Sequence, residues 1–272
     1  MFKDKTYFIS GASRGIGKAI ALRLATSGAN IIIASKSIAE QPKLEGTIFT
    51  AAEAIENAGG RALPIACDVR DEENIIDAVQ KGAAHFGGID GVINNASAIS
   101  LTNTEQTTAK RFDLMYDINV RGTFLVTKHC LPFLKESRHA HILTLSPPLD
   151  MQVKWFKDSV AYTISKYNMT MLTLGWAAEL QAYGIAANAL WPATTIATAA
   201  INNLLGGDYL MKRSRKPEIV ADAAHYILQQ PPTTYTGQQL IDEAVLRQAG
   251  VTQFEHYSVV PGADLQKDLF LD

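Results

Sequence analysis

Cysteine is scarce in this chain of 272 residues, which contains only Cys67 and Cys130. Two cysteines in unrelated contexts form neither a disulfide framework nor the spacing of a metal site, so we expect a reducing compartment. The sequence also lacks the run of ~20 apolar residues that a membrane-spanning helix needs. Its first residues lack the apolar stretch of a signal peptide. We therefore predict a cytoplasmic protein with no bound metal and no membrane contact.

An excess of positive charge is absent as well, because 25 Lys and Arg residues oppose 27 Asp and Glu residues. The cations are dispersed along the chain, which argues against nucleic acid as a partner. The hydrophobic content of 47% and the charged content of 19% are ordinary for a globular domain. We therefore expect a small molecule, and not nucleic acid, as the partner.

Short apolar runs alternate with amphipathic stretches. The runs are continuous, which predicts strands buried on both faces, at 6–9, 30–34, 63–66, 91–93, 141–145 and 186–190. Helices are predicted at 15–27, 50–58, 72–86, 109–135 and 161–183. This alternation predicts a single-domain α/β fold, a Rossmann-type doubly wound parallel sheet of about seven strands with helices on both faces. We assign residues 1–250 to this domain and 251–272 to a C-terminal tail that packs on it.

A glycine-rich turn follows the first predicted strand. Glycine tolerates positive φ and lets a ligand approach the backbone closely, and the helix that follows offers free N–H groups to a phosphate. Directly after the first strand of a βαβ pattern, such a turn predicts a dinucleotide site. Its residues are Gly11, Ala12, Ser13, Arg14, Gly15, Ile16 and Gly17.

The end of the second predicted strand, Ala34-Ser35-Lys36, carries no carboxylate. Folds that bind NAD commonly place an acidic residue there to hold the adenosine ribose. Lys36 and Arg14 instead provide two cations where a 2′-phosphate would lie, which favours NADP over NAD. The alternative is that both are solvated surface charges.

Polar residues also follow the next two predicted strands. Asp68, which precedes Val69, is expected either to accept from the adenine amino group or to cap the helix that begins near Asp71. Asn95, which precedes Ala96, is expected to stabilise the end of the sheet or to line the cofactor cleft.

Tyr162 and Lys166 lie four residues apart in a predicted helix, so their side chains share one face. A fixed ammonium beside a phenol favours the phenolate. Taken alone, such a pair is more often a surface contact.

Taken in chain order, these features resemble the short-chain dehydrogenase/reductase family over residues 5 to about 245. The matching elements are the glycine turn, Asp68, Asn94-Asn95-Ala96, Asn119 in a long helix, Ser146 after the fifth strand, and Tyr162 with Lys166. The resemblance implies an NAD(P)-dependent enzyme that interconverts a carbonyl and an alcohol, with the hydride carried by the cofactor. It also implies association through the helices at 109–135 and 161–183, as a homodimer or homotetramer.

The resemblance implies a role for each catalytic residue. Tyr162 would exchange the proton with the substrate oxygen, and Lys166 would favour the phenolate and hold the nicotinamide ribose. Ser146 would donate a hydrogen bond to the substrate oxygen. Asn119 would hold a water that links Lys166 to solvent, or it is simply a satisfied buried amide. Pro192 and Thr195 are expected beside the nicotinamide.

Several features depart from the family pattern. Ser146 lies further from Tyr162 than is usual, and Pro147-Pro148 follows it. The insert 149–159, with Trp155 and Phe156, is expected to form a wall of an apolar pocket together with segment 194–217. That pocket would suit a lipid-like, acyl or steroid-like carbonyl; a core or subunit contact is the alternative for these aromatic residues.

The position of Ser146 also motivates a second functional hypothesis. On the same fold, a catalytically weak NADP(H)-binding sensor or carrier would need the glycine turn but not a complete catalytic set.

Overall fold

The computed structural model of the protein, which describes residues 2–40 and 44–272, contains a seven-stranded parallel sheet. The spatial order is β3-β2-β1-β4-β5-β6-β7. The strands are β1 (Thr6–Ser10), β2 (Asn30–Ser35), β3 (Arg61–Ala66), β4 (Gly91–Asn94), β5 (His141–Leu145), β6 (Ala186–Trp191) and β7 (Gln239–Ile241). The predicted fold class is therefore confirmed. Six strands lie where the sequence predicts them, while the three-residue β7 is too short to be located by its apolar run.

Helices cover both faces of the sheet. They are α1 (Gly15–Ala25), α2 (Ile48–Asn57), α3 (Glu72–Phe86), α4 (Ala109–Met115), α5 (Thr123–Leu134), α6 (Val160–Glu179), α7 (Gly207–Lys212), α8 (Glu218–Ile227) and α9 (Asp242–Gln248). The helix predicted at 109–135 is interrupted by a π-helical turn, Tyr116–Gly122. None of the described helices is both long enough and apolar enough to cross a membrane.

Helix α8 was not predicted, although its sequence carries the signal. Ile219, Val220, Ala223, Ala224 and Ile227 are buried at helical spacing and face the same core as α1. These apolar residues at helical spacing were therefore a signal in the sequence that could have predicted α8.

Alternate residues of each strand enter different cores. Tyr7 and Ile9 of β1 join the core beneath α1 and α8, whereas Phe8 joins the core beneath α3 and α5. Ile31 and Ile32 of β2 separate in the same way. Burial on both faces is the reason that the strands read as continuous apolar runs.

The centre of the sheet positions the site. β1 pairs with β2 on one side and with β4 on the other, so the strand order reverses between β1 and β4. Ligands of open α/β sheets bind at the carboxyl ends of the strands where this reversal occurs. Gly11 follows β1 and Asn95 follows β4, so both lie at this point.

The C-terminal tail after α9 runs along the segment that follows β6. Lys267 forms an antiparallel bridge with Thr194, and the Thr195 N–H donates to the Gln266 carbonyl at 2.9 Å. Phe270 is 3% exposed and packs against Trp191, with 5.9 Å between ring centroids. The tail thus contributes side chains to the interior.

Candidate active site

Asn95 ties the glycine-rich turn to the end of β4. Its Nδ2 donates to the carbonyls of Ser10 (2.9 Å) and Gly11 (3.0 Å). Ser10 Oγ accepts from the N–H groups of Asn95 and Ala96 at 3.0 and 3.1 Å. Asn95 also lines the cleft, so both expectations for this residue describe its position.

Glycine is required in this turn for two reasons. Gly11 and Gly15 have φ values of +69° and +56°, which side chains rarely adopt. A Cβ on Gly17 would lie 2.5 Å from Asn95 Nδ2 and 2.7 Å from the Gly11 carbonyl oxygen. Helix α1 begins at Gly15 without a side-chain cap at Arg14, and Gly15 and Ile16 of its first turn line the cleft.

A cleft of about 1260 Å³ opens over this turn. Its described wall includes most of the predicted cofactor residues, namely Gly11, Ser13, Arg14, Gly15, Ile16, Lys36, Asp68, Val69, Asn95 and Ala96. Ala12 and Gly17 are buried behind the turn and shape it. The volume and the crowded glycine backbone fit a dinucleotide lying along the turn.

Charged residues surround the outer end of the cleft. Lys36 is exposed, and Arg14 Nη2 donates to the Gly46 carbonyl at 2.6 Å. Asp68 pairs with Arg70 at 2.5 Å, and this hydrogen bond holds the pKa of the Asp68 carboxyl below its usual value. Asp68 does not cap α3, because the Asp71 carboxylate accepts from the first N–H groups of that helix.

A second cavity, of about 300 Å³, adjoins the cleft. Ile16, Ile99, Thr198 and Ala200 line both spaces. Tyr162, Pro192 and Thr195 also lie in its wall, which is otherwise mostly apolar: Leu101, Leu145, Trp191, Ile196, Ile201, Leu210 and Leu269. Tyr162 therefore stands in an apolar chamber that is continuous with the cleft.

Tyr162 and Lys166 are both almost completely buried, with 4% and 2% of their surfaces exposed. Lys166 Nζ donates to the Leu145 carbonyl at 2.7 Å and contacts Met169 Sδ at 3.3 Å. Burial lowers the pKa of Lys166 to about 7. Among the hydrogen bonds of the described residues, none involves the Tyr162 hydroxyl, which is free to meet a ligand.

The pKa of the Tyr162 phenol departs from the expected direction. Burial raises this pKa, and the charge of Asp268 raises it further. Neither cause involves Lys166, so the expectation that its ammonium favours the phenolate stays a prediction. Desolvation disfavours both charges at once, because it raises the pKa of the phenol and lowers the pKa of the ammonium.

Asn119 lies in the π-helical turn and is completely buried. Its Oδ1 accepts from the Ala98 N–H at 2.7 Å, and its Nδ2 donates to the Ala98 carbonyl and to Ser165 Oγ at 2.9 and 3.0 Å. These contacts agree with the alternative of a satisfied buried amide. The water-holding role stays a prediction.

Ser146 does not line either cavity, as far as the described walls extend. Its side chain is 1% exposed, and its Oγ accepts from Thr170 Oγ1 at 2.8 Å. The same Thr170 hydroxyl lies 2.7 Å from the Pro147 carbonyl. The side chain thus lies between the end of β5 and helix α6. Because Ser146 Oγ accepts from Thr170, its own proton is still available, and donation to a substrate oxygen stays a prediction.

The aromatic insert also lies elsewhere than predicted. Trp155 Nε1 donates to Asp150 Oδ2 at 2.7 Å, and its ring packs on Phe270 at 5.9 Å. Phe156 packs edge-on against Tyr167 at 5.6 Å. These rings belong to an aromatic cluster with Tyr167 and Phe270 and are not in the described chamber wall, which agrees with the alternative of a core contact.

The chamber wall contains residues that sequence analysis missed. Ile99 and Leu101 come from the loop after β4, and Gln266 to Leu269 come from the C-terminal tail. The apolar run Leu269-Phe270-Leu271 was the available signal that the tail is anchored in the interior. Among the described residues, no group of three or more His, Cys, Asp or Glu side chains is placed to hold a metal ion.

Comparison with known proteins places these features in a family. Residues 5–205 match the short chain dehydrogenase family. The chain belongs to this family. Its members are oxidoreductases that act on small molecules and commonly form oligomers, so the expected family and general reaction class are confirmed.

The curated relatives include hydroxysteroid dehydrogenase-like protein 2 from several animals. The human protein is 55% identical over 267 residues, covering 98% of this chain and 63% of that protein. The rat protein is also 55% identical, with 50% of its length covered. The chain thus spans between half and two thirds of the length of these relatives.

Solved structures of other family members superpose closely. A protein from Xanthomonas campestris, described provisionally as a dehydrogenase, has a TM-score of 0.97 and 50% identity, covering 100% of this chain and 99% of that one. A short chain dehydrogenase from Mycobacterium thermoresistibile has a TM-score of 0.95 and 52% identity, with coverages of 100% and 96%.

More distant structures share the fold alone. A metagenomic short-chain oxidoreductase in complex with NADP has a TM-score of 0.72 and 22% identity, covering 88% of this chain and 97% of that one. Carveol dehydrogenase from Mycobacterium avium in complex with NAD has a TM-score of 0.75 and 23% identity, with coverages of 88% and 96%. The fold therefore accepts either nucleotide, and the choice depends on residues of the individual chain.

Proposed function

We propose that the protein is an NADP(H)-dependent oxidoreductase that interconverts a carbonyl and an alcohol on an apolar substrate. The observation that carries this proposal is the Tyr162 hydroxyl, which lies without a protein partner in an apolar chamber that adjoins the glycine-lined cleft. A nicotinamide bound in the cleft would supply the hydride chemistry. Tyr162 gives its proton to the substrate oxygen during reduction and takes it back during oxidation.

Lys166 acts on Tyr162 through its charge. With a pKa of about 7, its amine exists in both protonation states near neutral pH. The charged form stabilises negative charge on the phenol oxygen and so opposes the effect of burial. The buried amine is therefore a positioning and charge-balancing group in this proposal.

The preference for NADP rests on the cations at the outer end of the cleft. Lys36 and Arg14 both belong to its described wall, whereas Asp68 is neutralised by Arg70. A 2′-phosphate would gain charge-assisted contacts here that a ribose hydroxyl would not.

Replacing Lys36 with alanine is expected to weaken NADP(H) binding about 10-fold, because one charge-assisted hydrogen bond to phosphate is lost. NAD(H) binding should change less than about 2-fold, since NAD lacks that phosphate. Fluorescence titration of both reduced cofactors measures the difference. Lys81→Ala, which removes an exposed lysine paired with Asp77 on α3, is the control. Equal weakening of both cofactors by Lys36→Ala would exclude the 2′-phosphate contact.

The substrate preference follows from the chamber wall. Leucine, isoleucine and tryptophan side chains exclude water and reward apolar substituents at roughly 25 cal/mol per Å² buried. We therefore propose a lipid-like, acyl or steroid-like carbonyl as the substrate class.

A panel of acyl, steroid and small polar carbonyls tests the function directly. With NADPH, we expect the apolar carbonyls to give higher kcat/KM than the small polar ones, with NADPH consumption matched by alcohol formation. Tight NADP(H) binding without turnover of any carbonyl would instead support a sensor or carrier. The observation that favours this second function is the position of Ser146, which lies outside the described walls of both cavities.

We also propose that the protein assembles as a homodimer or homotetramer through α4, α5 and α6. Phe124 on α5 and Met171 on α6 are large apolar side chains that are exposed in the single chain. Light scattering should give two or four chains per particle, and Phe124→Glu together with Met171→Glu should shift the mass towards one chain. A monodisperse monomer at micromolar concentration would contradict this assignment.

The compartment is a further part of the proposal. Cys67 and Cys130 are free and buried, as expected of a protein that works in the reducing cytoplasm. Imaging of a fluorescent fusion would check this location.

A further inference from the structure

Asp268 is a carboxyl group that the C-terminal tail brings into the apolar chamber. Among the described residues of the chamber wall it is the one acid, and Tyr162 lies in the same wall. One carboxyl oxygen, Oδ1, accepts from the Leu269 N–H at 2.7 Å. The other oxygen has no hydrogen-bond partner among the contacts of the described residues, so it is available to a ligand.

The backbone around Asp268 is fixed on both sides. The Asp268 N–H donates to the Ala193 carbonyl at 3.2 Å, and Trp191 Nε1 donates to the Leu269 carbonyl at 2.9 Å. Phe270 packs on Tyr162 with 6.3 Å between ring centroids. The tail therefore holds the carboxyl in place relative to Tyr162, as expected of a group that has to meet a reacting atom.

The surroundings of this carboxyl favour its protonated form. Burial raises the pKa of Asp268 to about 7; the Asp242 charge raises it as well, while the Leu269 N–H and Lys166 lower it. Lys267 lines the same chamber. A neutral carboxylic acid is a hydrogen-bond donor, whereas the carboxylate can only accept.

The charge of Asp268 also acts on Tyr162. The ionised carboxyl raises the pKa of the phenol and so opposes the loss of its proton. The protonated carboxyl removes this opposition. Tyr162 therefore gives up its proton more readily when Asp268 is neutral.

We propose that Asp268 is a catalytic residue whose protonated carboxyl donates a second hydrogen bond to the substrate oxygen, beside the Tyr162 hydroxyl. This proposal rests on the oxidoreductase function proposed above. It adds a donor from the tail to the one predicted at Ser146, which lies outside the described walls of both cavities. A neutral acid in an apolar site is a known way to stabilise a developing oxyanion.

The proton balance of this step is simple. During reduction the carbonyl carbon gains a hydride, and the carbonyl oxygen gains the proton of Tyr162. Asp268 keeps its own proton and contributes only a hydrogen bond, which shortens as negative charge develops on the oxygen. During oxidation the same hydrogen bond is held while the alcohol proton returns to Tyr162.

Two substitutions of Asp268 distinguish the effect of its hydrogen-bond donor from the effect of its negative charge. Asp268→Asn keeps a neutral donor but cannot ionise, and Asp268→Ala removes the donor. Asp264→Asn is the matched control, because Asp264 is an exposed carboxylate of the same tail that pairs with Arg213. Each variant is compared with the wild-type chain for NADP(H) affinity and for NADPH-dependent reduction of the best carbonyl from the panel.

We expect Asp268→Ala to lower kcat about 100-fold, the usual effect of losing one oxyanion donor, with NADP(H) affinity unchanged. In the wild type, kcat for reduction should fall as the pH rises through about 7, because ionisation removes the donor. Asp268→Asn should keep most of the activity at pH 6 and show a shallower decline, because only the loss of the Lys166 charge remains. Asp264→Asn should behave as the wild type.

A measurement on the protein without cofactor gives an independent readout. Because the folded-state pKa of Asp268 is raised from 3.8 to about 7, its contribution to stability is present at low pH and is lost as the pH rises to about 7. Asp268→Asn should therefore melt at a higher temperature than the wild type at pH 8. The difference should shrink towards pH 5.

Three results would overturn the proposal. They are an Asp268→Ala enzyme with kcat within about 3-fold of wild type, a pH decline as steep in Asp268→Asn as in the wild type, and a folded Asp268→Asn enzyme as inactive as Asp268→Ala. Failure of the oxidoreductase function looks different, because the wild type and Asp264→Asn would then also turn over no carbonyl.

Discussion

Replacing Tyr162 with phenylalanine is expected to lower kcat for carbonyl reduction by about 1000-fold, within the range that a positioned general acid contributes. NADP(H) affinity should be unchanged, because Tyr162 lies in the chamber rather than in the described wall of the cofactor cleft. Stability should also be unchanged. The phenylalanine ring keeps the packing on Phe270, and no hydrogen bond of the described residues is lost with the hydroxyl.

Tyr167→Phe is the matched control for this experiment. Tyr167 lies in the same helix and is equally buried, but its hydroxyl donates to the Asp150 carbonyl at 2.6 Å. The control should lose about 1 kcal/mol of stability and keep its activity. Single-turnover kinetics and thermal unfolding measure the two effects. Full activity in Tyr162→Phe would contradict the assignment of Tyr162 as the proton donor.

Replacing Gly17 with alanine is expected to weaken NADP(H) binding by at least about 100-fold and to destabilise the fold by about 1–3 kcal/mol. The new Cβ would lie 2.5 Å from Asn95 Nδ2 and 2.7 Å from the Gly11 carbonyl oxygen. One of these atoms has to move, and both belong to the contacts that hold the glycine turn against β4. The displaced turn would then no longer fit around the phosphates of the dinucleotide.

Gly175→Ala is the control for the glycine substitution. Gly175 lies in α6, and a Cβ at this position meets no atom within 4 Å. Alanine there should stabilise the helix by up to about 1 kcal/mol and leave cofactor binding unchanged. Isothermal titration with NADPH and thermal unfolding give both quantities. Wild-type affinity in Gly17→Ala would show that the turn tolerates a displacement of Asn95.

Local patterns predicted most of the fold. Continuous apolar runs located six strands because both faces of the sheet are buried, and the helices between them require a parallel arrangement. The glycine turn was predictable for a similar reason. Positive φ at Gly11 and Gly15 and the crowding at Gly17 are properties of a few consecutive residues.

Contacts between distant segments were beyond these patterns. Ser146 carries the residue type that the family pattern requires, but it accepts from Thr170, 24 residues further along, and lies outside the described walls of both cavities. Trp155 and Phe156 have the composition of a pocket wall, but their rings pack on Phe270 and Tyr167 and are not in the described chamber wall. Composition could not distinguish a ring in the pocket wall from a ring packed in the core, because an aromatic side chain is apolar in either place.

The sequence by itself determined the sheet, the glycine turn and the helical spacing of Tyr162 and Lys166, since each depends on neighbours along the chain. Only the tertiary structure decided what surrounds the phenol. Folding buries Tyr162 and Lys166 together, and it brings Asp268 from the end of the chain into their chamber. Desolvation and charge at that meeting point set the pKa values of all three groups, and both depend on segments that are close only in space.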